Sequence, residues 1–202
     1  NCQGMTQQKI KAVLFDLDMT LADLMTAKTS AIDSAISAMI NAGLKMEKDA
    51  AYEELKKEYF KDFEGRSVIT NFLKNQMEEN PRILAAGINA YRKTKEKLLK
   101  PYPEVIETLK KLKSLGLKLA IVTDAPSLKA HRRLDAIGVI EFFDEIISTD
   151  DTNGKKKPSP EPFLEALKRL NVSAEEALHV GDWPERDIKG AKNVGLGSIH
   201  AK

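Results

Sequence analysis

The stretch Lys11-Ala12-Val13-Leu14-Phe15-Asp16-Leu17-Asp18-Met19-Thr20 decides the reading of this chain. Its apolar run is long enough for one buried strand, and it ends in two aspartates two positions apart. Residues two apart on a strand share a face, so the two carboxylates would repel each other if both were ionised in isolation. A buried charge is costly unless something pairs with it. A divalent cation at the strand end resolves the conflict.

Three more apolar runs follow, at 117–123, 143–148 and 177–181, several of them ending in Asp or Thr. Helical patterns lie between them. Val105, Ile106, Leu109, Leu112 and Leu115 form one apolar stripe closed by Gly116; Phe163, Leu164, Leu167 and Leu170 form another, opened by Pro160 and Pro162. Ser173 to Glu176 has the spacing of a capping box, enough for a single turn. Strands alternating with helices predict an α/β fold with a parallel sheet covered on both faces.

A second regime interrupts this one. From Leu24 to Lys100 the apolar residues recur only at helical spacing: Ile32, Ile36, Met39, Ile40; Leu55, Tyr59, Phe60; Val68, Ile69, Phe72, Leu73; Ile83, Leu84, Ile88. Gly43, Gly65 and Pro81 punctuate the stripes, and Pro101 with Pro103 ends the block. The expected organisation is a core made of 5–23 and 101–202, with a helical insertion at 24–100. The Lys/Glu-rich stretches of the insertion, such as Glu53 to Glu58, read as solvated helix faces.

Composition sets the bounds. The 202 residues are 42% hydrophobic and 31% charged, enough for a sizeable core. A net charge of +2 argues against a nucleic-acid partner. No apolar run approaches the ~20 residues of a membrane span, and no signal-peptide pattern precedes the first strand. The single cysteine, Cys2, excludes a disulfide framework, and a cytoplasmic location is expected. Asn1 to Gly4 read as a non-native leader, and the stop at Lys202, inside what reads as a fifth strand, suggests a truncated C-terminus. Nothing in the sequence fixes an oligomeric state.

In an open parallel sheet, ligands bind beyond the carboxyl ends of the strands. Those ends supply Asp16, Asp18 and Thr20; Thr123 and Asp124; Lys157, in the Lys155-Lys156-Lys157-Pro158 loop; and Asp182, with Asp187 five residues on. Hard oxygen donors without nearby cysteine or histidine ligands favour Mg²⁺ over Zn²⁺. An aspartate can attack phosphorus, and a second can carry the proton. Thr123, Asp124 and Lys157 are the candidate substrate contacts, the lysine as a point charge on phosphoryl oxygens. Arg66, between two helices of the insertion, is a further candidate for substrate binding. His179, inside an apolar strand, reads as a packed core residue rather than a catalyst.

These residues resemble the motifs of the haloacid dehalogenase superfamily of phosphohydrolases. Asp16-Leu17-Asp18-Met19-Thr20 is similar to its DxDxT signature, Thr123 to its second-motif hydroxyl, and Lys157, before Pro158, to its third-motif lysine. Gly181-Asp182 with Asp187 is similar to its GDxxxxD motif. The resemblance runs from about Lys9 to the end, and the 24–100 block resembles the cap that many members insert after the first strand.

The resemblance implies a Rossmann-like core and a Mg²⁺-dependent phosphatase acting on a small phosphorylated metabolite through an aspartyl phosphate. Asp16 would be nucleophile and metal ligand, Asp18 the general acid and base with its carbonyl on the metal, and Asp182 and Asp187 the remaining metal residues. Asp18 argues against the dehalogenases, which lack an acid there. Met19 replaces a common glycine, and Trp183 a small polar residue. The alternatives are a phosphomutase using the same intermediate and a non-catalytic phosphate-binding domain. A receiver-type signalling domain places its paired acids before the phosphoacceptor and carries no such insertion.

Overall fold

A computed structural model describes residues 10–62, 65 and 67–201. Asn1–Gly4, the candidate Arg66 and Lys202 lie outside them. The chain divides into two compact units, one ending at Asp23 and resuming at Pro101, the other Leu24–Lys100.

The first unit is built on five parallel strands: β1 (Ala12–Phe15), β2 (Lys118–Val122), β3 (Glu145–Ile147), β4 (Ala177–Gly181) and β5 (Gly197–His200), in the order β3-β2-β1-β4-β5. β1 pairs with β2 on one side and β4 on the other, Leu14 lying opposite both Ala120 and His179. A central parallel strand is covered on both faces, which is why all four residues of β1 are buried and apolar. One core cluster joins Ala12, Leu14, Ala120, Val122 and Ile147 to Phe163, Ala166, Leu167 and Leu170 of a covering helix.

From β1 the chain builds outward through β2 and β3 on one side, then crosses back to build β4 and β5 on the other. The carboxyl ends of β2, β1 and β4 therefore flank the point where strand order reverses, the ligand crevice of open α/β sheets.

Among the described residues the second unit holds four helices, α1 (Leu24–Asn41), α2 (Lys48–Lys61), α3 (Val68–Asn75) and α4 (Pro81–Leu98). They bury Ile32, Ile36, Met39, Leu55, Phe72 and Ile83 in a core of their own. Asn80 caps α4 by accepting from Arg82 N–H at 2.9 Å. The Tyr59 and Tyr91 rings stack with centroids 5.0 Å apart. In the first unit the remaining helices are α5 (Val105–Ser114), α6 (Ser127–Ala136), α7 (Pro160–Leu170) and α8 (Lys189–Asn193). No helix among the described residues is long and apolar enough to cross a membrane.

The helical stripes need three corrections. Phe60 and Ile88 are exposed, because each lies five residues beyond a buried Leu55 or Ile83, about 140° around the helix at 100° per residue. Leu164 is exposed one residue, about 100°, past buried Phe163, and Leu115 lies exposed just past the end of α5. The apolar stripes picked out in the sequence do not include 127–136, where α6 forms with Ala130, Arg133 and Leu134 on its buried side. The capping box at Ser173 is present, Glu176 Oε2 accepting from Ser173 N–H at 3.2 Å.

Gly190 in α8 is required by close approach. A Cβ there would stand 2.7 Å from Phe163 Cε2 and 3.1 Å from the Pro158 Cα. Helix propensity alone would favour alanine by about 1 kcal/mol, but overpacking against a backbone atom costs about 1–3 kcal/mol. Gly190→Ala should lower stability by up to about 2 kcal/mol in urea denaturation, with the slope unchanged. A raised midpoint would show that the Pro158 loop yields freely.

Candidate active site at the carboxyl ends of the central strands

Asp16 is the first residue past β1. Its N–H extends the ladder to Val180 O at 2.9 Å, which fixes its backbone at the sheet edge. The side chain is buried. Lys157 Nζ donates to Asp16 Oδ1 at 2.6 Å and to Asp187 Oδ1 at 2.6 Å. Thr20 Oγ1 donates to Asp16 Oδ2 at 3.1 Å, with Asp182 Oδ1 at 3.5 Å as a longer second partner.

Lys157, rather than Lys155 or Lys156, is the lysine of this loop that turns inward; it is buried while its two neighbours are exposed. Asp124, a candidate substrate contact, has protein partners for both of its oxygens. Its Oδ1 accepts from Lys157 N–H at 2.9 Å and its Oδ2 from Arg186 Nη1 at 3.2 Å, so it braces the lysine loop. The Arg186 guanidinium in turn lies 4.2 Å above the Trp183 ring, which gives the unusual tryptophan a structural partner. Thr123 is buried past the end of β2, and its Oγ1 accepts from Ala125 N–H at 3.2 Å.

Asp187 sits in a single π-helical turn, Pro184–Ile188, and is buried. Besides Lys157 it accepts from Trp183 N–H at 3.0 Å, and its Oδ1 lies 3.0 Å from His179 Nε2. His179 is fully buried in β4, edge-on to the Phe163 ring, and its Nδ1 has no hydrogen-bond partner. That arrangement assigns a neutral imidazole with its proton on Nε2, and burial does push the histidine below its ordinary value. His179 is thus a core residue, as its setting in the strand suggests, and also the donor that orients Asp187. Gly181 must be glycine because a Cβ there would fall 2.3 Å from the Asp187 carboxyl carbon.

Asp16, Asp182 and Asp187 each offer an oxygen within 4.8 Å of the others. Three carboxylates facing one ammonium leave an excess of negative charge. Burial pushes Asp16 up from its ordinary value; Lys157 pulls it back and Asp187 adds to the rise. Burial likewise raises Asp182, with Asp16 and Asp187 adding to it. Burial opposes ionisation of Asp187 too, but the His179 hydrogen bond and the Lys157 ammonium outweigh it and bring this carboxyl down to about 2. Burial would lower Lys157, yet Asp16, Asp187 and Asp124 hold it above its ordinary value. Such a set of hard oxygen donors with uncompensated charge fits a divalent cation of the Mg²⁺ type.

Asp18 does not share this cluster. Pairing of β1 ends at Phe15, and Met19 takes a left-handed φ of 67°, the conformation in which glycine is at ease. The chain turns there, Met19 N–H donating to Ala22 O at 2.8 Å. The same-face repulsion expected of a continuing strand is thereby avoided. Asp18 Oδ2 instead accepts from Arg133 Nη1 of α6, a buried arginine that the sequence motifs do not single out. Its only sequence signal is its place between Ala130 and Leu134 on the apolar side of α6.

Comparison with known proteins gives the family. The profile of the haloacid dehalogenase-like hydrolases matches residues 13–201. A glyceraldehyde 3-phosphate phosphatase from Methanopyrus kandleri is 38% identical over 96% of this chain and 84% of its own. A phosphoglycolate phosphatase from Aquifex aeolicus is 34% identical over 92% and 82%. Among solved structures, a HAD phosphatase from Thermococcus onnurineus superposes with a TM-score of 0.72 at 29% identity, covering 96% of this chain and 86% of that one. The chain belongs to the haloacid dehalogenase-like hydrolase family, and within it to the phosphatases.

Proposed function

We propose that this phosphatase is Mg²⁺-dependent and hydrolyses a small phosphorylated metabolite through an aspartyl phosphate on Asp16. The observation that carries the reading is the Lys157 ammonium 2.6 Å from both Asp16 and Asp187, with the Asp182 carboxylate in the same cluster. Asp16, Asp182 and Asp187, with the backbone carbonyl of Asp18, are the groups that would hold the cation. When bound, it would neutralise charge on the transferring phosphoryl group. In the same reading 5–23 and 101–202 carry the chemistry, and the 24–100 insertion is the cap.

Asp16 attacks phosphorus in line while Asp18 protonates the leaving oxygen. Asp18 then takes a proton from the water that hydrolyses the acyl phosphate. Lys157 and the Thr123 hydroxyl bind the phosphoryl oxygens. Uncatalysed phosphomonoester hydrolysis calls for accelerations approaching ~10²¹, and proton transfer supplies about 10²–10⁴ of that. The remainder falls to positioning and to positive charge around the phosphoryl group. The substrates named for the relatives, glyceraldehyde 3-phosphate and phosphoglycolate, are small anionic phosphates, and they head the panel to be tried.

Asp16→Asn should cut release of inorganic phosphate from such a panel by at least about 10³-fold, with the circular dichroism spectrum unchanged. Retained turnover would remove Asp16 as nucleophile, and an isomeric sugar phosphate in place of free phosphate would reassign the enzyme as a mutase.

Mg²⁺ should raise the melting temperature of the free enzyme, and Asp182→Asn should reduce that increase. A cation must displace protons from its ligands, and Asp16 and Asp182 hold theirs to higher pH than ordinary carboxyls. The Mg²⁺-induced increase should therefore be full near neutrality and begin to shrink above the usual ~4 of a carboxylate. An increase independent of both pH and Asp182 would place the cation elsewhere.

A further inference from the structure

Lys157 is gripped at both ends, by its backbone and by its ammonium. Asp124, just past β2, accepts from Lys157 N–H at 2.9 Å and from Arg186 Nη1 at 3.2 Å. The Arg186 guanidinium lies 4.2 Å above the centre of the Trp183 ring. Trp183 N–H donates to Asp187 Oδ2 at 3.0 Å, and Asp187 Oδ1 accepts from Lys157 Nζ at 2.6 Å. These contacts close a ring that leaves the lysine at its backbone and returns to it at its ammonium. The ring ties the segments that follow β2 and β4 to the loop before α7.

Its inner and outer halves differ in burial. The Lys157 and Asp187 side chains are almost fully buried, whereas the Arg186 side chain is 44% exposed and Trp183 51% exposed. An ion pair this open to water contributes little to stability, so stability gives little reason for a guanidinium stacked on an indole at this place. What the stack supplies is direction. A planar guanidinium over an aromatic face is held there by the ring and keeps its N–H donors in its own plane. Here one of them meets Asp124, and the carboxylate so held meets the backbone of the residue whose ammonium lies among the acids.

Resting on the phosphatase reading above, we propose that Arg186 is a positioning residue for Lys157, acting through Asp124 and braced on Trp183, so that the ammonium meets the phosphoryl oxygens at a fixed place. Arg186 touches no reacting atom and exchanges no proton. Its leverage is geometric, because a misplacement of about 1 Å can cost about 10²-fold in rate. The role also gives the large side chain at 183 a purpose, since tryptophan offers a cation the most favourable aromatic face.

Inhibition by inorganic phosphate separates aim from folding. KM and the Ki of inorganic phosphate are properties of the folded molecules and do not change when part of the enzyme is unfolded, whereas apparent kcat falls with the folded fraction. The substrate is the member of the phosphomonoester panel that the wild type hydrolyses fastest in Mg²⁺. Arg186→Met should raise KM and the Ki of inorganic phosphate about tenfold and lower kcat/KM about 10–100-fold, with the urea midpoint nearly unchanged. Arg186→Lys, which keeps the charge without the planar face, should fall between wild type and Arg186→Met. Trp183→Leu, which keeps the backbone N–H, should show a smaller loss in the same direction.

Asp124→Asn should match Arg186→Met, and the double variant should lose no more than the worse single one, because the arginine acts through the aspartate. A loss confined to kcat, with KM and Ki unmoved, would make the ring purely structural and overturn the proposal. Losses that add in the double variant would overturn it too. If Arg186→Met does not fold, Arg186→Lys is held to the same two criteria. A wild type inactive on the whole panel would overturn the phosphatase reading and this proposal with it. An active wild type whose variants leave Ki unmoved overturns the proposal alone.

Discussion

The contact on which the rest of the first unit depends is the Lys157 ammonium, held 2.6 Å from Asp16 and 2.6 Å from Asp187. Removing one partner of a buried ion pair costs about 3–5 kcal/mol, so this lysine serves the fold as well as the site. Its position is over-determined. Asp124 grips its backbone N–H, and Pro158 after it packs so closely against α8 that only glycine fits at 190. Phe163, in contact with the same glycine, also presents the His179 ring to Asp187. The packing of α7 and α8 on the sheet and the aim of the lysine are therefore one problem, solved by the same few side chains.

The electrostatics follow from that geometry. One ammonium cannot balance three carboxylates, and the imbalance is not shared evenly. Lys157 touches Asp16 and Asp187 at the same distance, yet Asp16 is pushed up and Asp187 down. The difference lies in the other neighbours. Asp187 also accepts a hydrogen bond from His179, whereas Asp16 is pushed up chiefly by burial, and Asp187 adds its own charge. The result is one carboxylate that ionises more readily than usual beside two that hold their protons more readily. A further cation would stabilise such a cluster, which is the physical argument behind the proposed metal.

Much of this was legible in the sequence, and the exceptions share a cause. Strand ends announce themselves because folding alone seldom calls for an acid or a hydroxyl where a buried apolar run stops; β1, β2 and β4 stop in this way at Asp16, Thr123 and Asp182. The inserted helices are legible from their spacing, although Phe60 and Ile88 show that an apolar residue near a stripe need not be in it. Asp124, Arg133 and the donor role of His179 were not legible as contacts. Their meaning depends on which side chain meets which across separations of 33, 115 and 8 residues. A charged residue in a helix, such as Arg133, reads by default as a solvated face. Only the fold of α6 onto the sheet turns it inward.

The two aspartates that end β1 illustrate how little local geometry decides by itself. On a continuing strand they would share a face and repel. Ladder pairing instead stops after the Asp16 N–H, and Met19 adopts a φ of 67° that most residues avoid. A non-glycine residue in this conformation costs roughly 1–2 kcal/mol, and the turn at Asp18 to Ala22 holds it there. What that strain accompanies is separation: Asp16 faces the lysine and the other acids, while Asp18 faces an arginine of its own. Two carboxyls of identical chemistry, two residues apart, thus have different charge environments. The proposed nucleophile and proton carrier would need just such different surroundings. Here the difference comes from partners that lie beyond residue 130.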